Sequence, residues 1–228
     1  MSPDPAPRVE TVTTPDGEAR ITWHPARAAR RVLALGHGAG GGIEARDLDA
    51  LARALPARGT TVALVEQPWR VAGKRVAAAP RTLDTGWRAL WPALTAPGLP
   101  VVSGGRSAGA RVACRTAVEL DPLAVLALAF PLHPPGRPDK SRAGELADLG
   151  RPLLVVQGGA DTFGTAAAFP TAGAEGLRPD FEIVDLPAAN HGFAVPKRAA
   201  RDQEGTLADL VAAVADWLDR LPEPVRAG

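Results

Sequence analysis

The sequence predicts an α/β protein with a mostly parallel sheet and helices on both faces. Three observations carry that expectation. Short apolar runs alternate with segments of helical period along most of the chain. Val32-Leu33-Ala34-Leu35 is apolar without alternation, as a strand buried on both faces must be. Near the end, Leu207, Leu210, Val211, Val214, Trp217 and Leu218 fall on one face of a helix. In sheets of this kind, ligands and reactive groups gather at the carboxyl ends of the strands.

The elements follow in order. Residues 1–7 are proline-rich and are expected to form a disordered tail, residues 8–222 one domain, and residues 223–228 a second tail. Arg8–Thr13 and Ala19–Trp23 flank Pro15-Asp16-Gly17, which predicts an antiparallel hairpin. Arg31–Leu35 is a strand that runs into Gly36-His37-Gly38-Ala39-Gly40-Gly41-Gly42. Leu48, Leu51, Ala52 and Leu55 share a helical face that ends near Gly59. Thr61–Val65 is the next strand, followed by a basic loop with Trp69, Lys74 and Arg75 and a helix carrying Leu83, Trp87, Leu90 and Trp91. A strand at Pro100–Val102 enters the Gly104–Gly109 turn, and a helix continues through Val112 to Leu120. Leu123–Phe130, Pro152–Val156 and Phe181–Leu186 are the remaining strands. Pro131–Arg151 between two of them is a proline- and charge-rich loop with room for one short helix at Ala143–Leu149, too little for a lid.

Composition removes several function classes. With 26 Lys and Arg against 25 Asp and Glu, the net charge is +1, which argues against a nucleic-acid or membrane-surface partner. No apolar run approaches the roughly 20 residues of a membrane span. One cysteine, Cys114, allows no internal disulfide and no cysteine-based zinc site. The four histidines are dispersed, so neither a metal nor another cofactor is expected. Residues 1–7 lack the apolar stretch of a secretion signal, and a reducing cytoplasm is the expected location.

The chemistry concentrates at Gly105-Arg106-Ser107-Ala108-Gly109, a G-x-S-x-G pattern between a strand and a helix. A serine there sits on a sharp turn with its hydroxyl lifted clear of the sheet. A serine hydroxyl is a weak nucleophile at neutral pH and needs a base, which in turn needs an acid to orient it. Asp161 follows a strand at Val156-Gln157-Gly158-Gly159-Ala160, and His191 follows the last strand within Ala189-Asn190-His191-Gly192. The order serine, acid, histidine, each past a strand, matches that requirement. The developing oxyanion needs two N–H donors, assigned to Ala108 and to Ala39 in the early glycine loop. His37, Arg106, His133 and Arg137 are candidates for the rim, where Arg106 and Arg137 with Lys74 and Arg75 would favour acidic substrates; ordinary solvated charge is the competing explanation.

The early loop has a second reading. Gly36, Gly38 and Gly41 satisfy G-x-G-x-x-G, and Glu66 ends the next strand as a ribose-binding acid would. A dinucleotide site leaves Ser107, Asp161 and His191 unexplained.

These motifs together resemble the α/β-hydrolase superfamily over roughly residues 9–220. Gly104–Arg111 and Phe130–Pro138 are similar to a small branch related to dienelactone hydrolases, which includes testis-expressed protein thirty and the hydrolase-like domain of the third subunit of the NSL chromatin complex. The resemblance implies a nucleophile at Ser107, an acid at Asp161 and a base at His191. It names no substrate; the short Pro131–Arg151 interval leaves an open site, so a small-molecule or partly exposed acyl ester or thioester is the expected substrate. Because some relatives act as complex subunits, a non-catalytic interaction module is the alternative from another class.

Overall fold

The computed structural model describes residues 5–147, 149–170 and 181–222. Residues 1–4 and 223–228, which hold most of the two expected tails, lie outside the described residues, as does Asp148 within the expected helix at 143–149.

Eight strands form one sheet in the order β1-β2-β4-β3-β5-β6-β7-β8. They are β1 (Arg8–Thr14), β2 (Gly17–His24), β3 (Arg31–Gly36), β4 (Thr60–Glu66), β5 (Val101–Arg106), β6 (Ala124–Leu128), β7 (Leu153–Gly158) and β8 (Glu182–Leu186). The β1–β2 hairpin and the β2–β4 pair are antiparallel, and every other pairing is parallel. The expected mostly parallel sheet with an N-terminal antiparallel hairpin is therefore what the chain forms.

Period-two alternation divides β3 between two cores. Leu33 and Leu35 face Leu48, Leu51 and Leu55 together with Leu210, Val214 and Trp217. Val32 and Ala34 face the other way, against Leu83, Trp87, Leu90 and Val112. The helices are α1 (Arg46–Ala54), α2 (Pro68–Val71), α3 (Pro80–Thr95), α4 (Ala108–Leu120) and α5 (Gln203–Arg220). The first core thus joins the sheet to α1 and α5, and the second joins it to α3 and α4, so both faces are covered. Asp202 caps α5 by accepting the Gly205 N–H at 2.8 Å.

Three elements differ from the sequence reading. The basic loop after β4 contains α2, a single turn started by Pro68 at its first helical position. Helix α3 carries Leu83, Trp87, Leu90 and Trp91 as expected, and extends past them through Pro92 to Thr95. Within Pro131–Arg151 the described residues form only a 3₁₀ turn at Ala143–Glu145, where a short helix was expected. Gly144 inside that turn and Gly150 at φ 66° both disfavour a longer helix. No helix among the described residues is long and apolar enough to cross a membrane.

Cys114 on α4 is 1% exposed. Burial, with a smaller push from Glu145, raises its thiol far above the ordinary range. The folded chain should therefore leave Cys114 unmodified by a disulfide dye such as Ellman's reagent, and denaturant should release one thiol per chain. Rapid modification of the native chain would contradict this packing.

Candidate active site

Four connections converge at the carboxyl edge of the sheet: those after β3, β5, β7 and β8. The turn after β5 is the most constrained. Ser107 has φ 52° and ψ −112°, a positive-φ conformation rare for a residue with a side chain. Its N–H donates to the Leu128 carbonyl at 2.9 Å, tying the turn to the end of β6. Flanking glycines are required by contact. A Cβ at Gly105 would lie 2.6 Å from the Gly36 carbonyl oxygen, and one at Gly109 only 2.3 Å from it. The three backbone segments approach too closely for any side chain between them.

The turn presents the Ser107 Oγ to His191, whose Nε2 lies 2.9 Å away. His191 Nδ1 lies 2.8 Å from Asp161 Oδ2. In the neutral tautomer with the proton on Nδ1, the imidazole donates to Asp161 and its Nε2 accepts from the Ser107 hydroxyl. The His191 side chain is 23% exposed and that of Asp161 is fully buried. Burying a carboxylate is costly unless its oxygens are paired. Here Oδ2 also accepts from Gln157 Nε2 at 2.9 Å, and Oδ1 accepts the Phe163 N–H at 2.8 Å. Gln157 is the one polar side chain in Leu153–Gly158, a signal the sequence carried but that was not read as part of the site.

His191 is fixed from three sides. Asn190 Oδ1 accepts the N–H groups of Gly192 and Ala194 at 2.9 and 3.0 Å, closing a tight turn. The Phe163 ring lies against the imidazole with centroids 4.3 Å apart. Arg106 Nη2 donates to the His191 carbonyl at 2.7 Å, while its Nε donates to Asp47 Oδ2 at 3.1 Å. The Asp47 side chain is 1% exposed and that of Arg106 12%. Burial pushes the Asp47 carboxyl up and the Arg106 charge draws it back. Arg106 thus braces the histidine loop from the serine strand.

Ser107, His191, Ala39, Ala108 and Arg106 line one open cleft of about 510 Å³. Phe163, Arg111 and Arg142 also line it, and none of these was named as a site residue from the sequence. Among the described residues, the Ala39 N–H donates to no backbone carbonyl. Ala108 opens α4, where backbone N–H groups lack helical partners. Ala39 and Ala108 also border a recess of about 10 Å³, walled by Trp69, Leu83, Trp87 and Val112.

The remaining rim candidates lie elsewhere. His37 is buried: its Nδ1–H donates to the Gly38 carbonyl at 2.8 Å, and its Nε2 accepts the Gln67 N–H at 3.3 Å. Burial lowers its pKa, so it stays neutral and pins the glycine loop. It lines the recess beside Ala39 and Ala108 but not the cleft with Ser107. His133 donates to the Pro134 carbonyl, and Arg137 stands exposed 4.0 Å from Asp139; neither lines the cleft. The glycine loop serves the serine turn: a Cβ at Gly38 would sit 3.4 Å from Ser107 Cβ. Glu66 pairs with Arg20 across the antiparallel strands, a different role from the ribose contact of the dinucleotide reading. No group of three or more His, Cys, Asp or Glu among the described residues is placed to hold a metal ion.

A sheet of this order with a serine turn at its edge defines the α/β-hydrolase class. The chain belongs to the alpha/beta hydrolase domain family, whose model matches residues 29–219. Among solved structures, it is similar to a lidless α/β serine hydrolase of Xanthomonas campestris, at 22% identity over 97% of this chain and 100% of that one, TM-score 0.64. Dienelactone hydrolase from Anabaena variabilis is 19% identical over 96% and 99% of the two chains, TM-score 0.70. Est1E from Butyrivibrio proteoclasticus with bound ferulic acid is 13% identical over 92% and 100%, TM-score 0.69. No curated protein matches the chain at a significant level.

The contact at Gly109 is open to test. Gly109→Ala should lower unfolding free energy by at least about 1–3 kcal/mol, because backbone must move to admit the methyl group. Gly144→Ala, with nothing within 4 Å of the new Cβ, should change it by under about 0.5 kcal/mol. Urea unfolding of both variants measures the difference, and equal effects would contradict the packing.

Proposed function

We propose that the chain is a serine hydrolase that cleaves a small or exposed ester or thioester through an acyl-enzyme. The observation that carries this reading is the unbroken chain from Ser107 Oγ to His191 to Asp161, at 2.9 and 2.8 Å. The location expected from the sequence, the cytoplasm, is part of the same proposal.

In this mechanism Ser107 Oγ attacks the substrate carbonyl carbon while His191 Nε2 takes the hydroxyl proton. The carbonyl π electrons move onto its oxygen, which receives the Ala39 and Ala108 N–H groups. Asp161 remains ionised and holds the imidazolium in place. The tetrahedral intermediate collapses, the bond to the leaving oxygen or sulfur breaks, and His191 returns its proton to that atom. A water then loses a proton to His191 and attacks the acyl carbon, and collapse returns the proton to Ser107 Oγ. Gln157 and Phe163 support the chemistry through Asp161: Gln157 shares Oδ2 with the histidine, and the Phe163 N–H occupies Oδ1.

The recess beside Ala39 and Ala108 sets the acyl size. Its volume of about 10 Å³ is close to the space of one water. It accepts a methyl-sized group without rearrangement, and longer chains must lie along the open cleft.

Ser107→Ala and His191→Ala should each lower kcat for p-nitrophenyl acetate by about 10⁴-fold or more. Acetyl and propionyl esters should be cleaved with higher kcat/KM than octanoyl. Undiminished hydrolysis by the purified Ser107→Ala chain would overturn the nucleophile, and a strong octanoyl preference would overturn the small site.

A further inference from the structure

Three guanidinium groups line the cleft, from Arg106, Arg111 and Arg142, and among the described residues no carboxylate does. Their charges are matched very differently. Arg106 is paired with buried Asp47. Arg111 meets Glu145 in a two-bond fork, at 2.8 Å from Nε and 2.5 Å from Nη2. Arg115 beside it shares Glu145 at 3.4 Å and forms a second fork with Asp84 at 2.9 and 2.6 Å. Arg111 and Arg115 are therefore balanced by Asp84 and Glu145. Arg142 has no carboxylate within 4 Å among the described residues. The Asp161 carboxylate is buried behind His191 with both oxygens occupied.

Arg142 is nevertheless held in place. Its backbone N–H donates to the Leu132 carbonyl at 2.7 Å, and its Nη1 donates to the Pro131 carbonyl at 2.8 Å. Pro131 also lines the cleft. A guanidinium carries five N–H donors in a fixed fork, and one contact leaves the others for a partner. An exposed arginine would be neutralised by water at little cost. This one is partly buried beside a second arginine, so an incoming anion gains more than it would at the surface. Consistent with this, burial and then the Arg111 charge both push the Arg142 guanidinium below its ordinary value, and Glu145 opposes them.

We propose that Arg142 is the anion-binding residue of this cleft and that the substrate is an ester or thioester carrying a second, anionic group, a carboxylate, which docks on its guanidinium. The proposal rests on the hydrolase reading of Ser107. It adds a substrate class and a specificity residue. Arg111, charge-balanced by Glu145, forms the fixed wall beside Arg142. Arg106 braces the histidine loop and takes no part in docking.

The test compares charged and neutral members of isosteric ester pairs. One pair carries the charge on the acyl side: p-nitrophenyl hydrogen adipate and p-nitrophenyl methyl adipate. The other carries it on the leaving group: 4-acetoxybenzoate and its methyl ester. With uncatalysed rates subtracted, the native chain should favour the acid by about ten- to a hundredfold in kcat/KM in at least one pair, the range of a charge-assisted contact. The preference should shrink as salt is raised. Arg142→Gln should abolish it and Arg142→Lys retain part. Arg53→Gln, changing an exposed arginine on α1, should leave it intact. Labelling of Ser107 by a fluorophosphonate is measured alongside and reports the hydrolase reading separately. If Ser107 labels but neither pair shows a preference, neither pair is turned over, or the preference survives Arg142→Gln, the anion site is overturned and the hydrolase stands. If Ser107 does not label and no ester is cleaved, both readings fall.

Discussion

The Gly36 carbonyl oxygen occupies the space into which a side chain at residue 105 or 109 would project, 2.6 and 2.3 Å from the Cβ positions. Everything at the site depends on that close approach. It lets β3, β5 and the start of α4 meet backbone to backbone, and the chain between Gly105 and Gly109 can then turn through the positive-φ conformation of Ser107. Strain of this kind costs on the order of 1–3 kcal/mol and persists only where surrounding structure enforces it. The enforcement comes from the two glycine contacts, from the Ser107 N–H bond to Leu128, and from the buried body of α4, which carries Ala110, Val112 and Ala113 into the core.

From that point the site is assembled by strand ends that are far apart in sequence. The loop after β7 delivers a buried carboxylate whose oxygens are satisfied by Gln157 and Phe163. The loop after β8 delivers an imidazole held by an Asn190 turn. Arg106 links the two halves, since it sits on the serine strand, donates to the His191 carbonyl and is charge-balanced by Asp47 on α1. A buried pair of this kind contributes little net stability. Its effect is to hold the histidine loop in register with the serine turn.

The sequence made legible what strand ends and glycines encode. Ser107, Asp161 and His191 could be expected at one edge because each follows an apolar strand, and their side chains meet there. The fold was legible for the same reason: Val32 to Leu35 reads as a strand buried on both faces and is one. What escaped depends on pairing at a distance. Asp47 and Arg106 are 59 positions apart, and nothing local marks either as half of a buried pair. His37, beside the glycines, looked like a rim residue, but its ring is consumed by two backbone bonds inside the protein. Arg142 lies in a loop without hydrophobic period, so neither its place in the cleft nor its lack of a carboxylate partner among the described residues was visible. Single-turn α2 is too short for periodicity to detect.

The central claim is that the strained serine at the edge of the sheet is an activated nucleophile. The most direct measurement is to treat the folded chain with a fluorophosphonate, digest it and locate the adduct by mass spectrometry. This account predicts one adduct, on Ser107, that is lost when the chain is unfolded before treatment. A folded chain that takes no adduct, or takes it on exposed Ser141 instead, would contradict it.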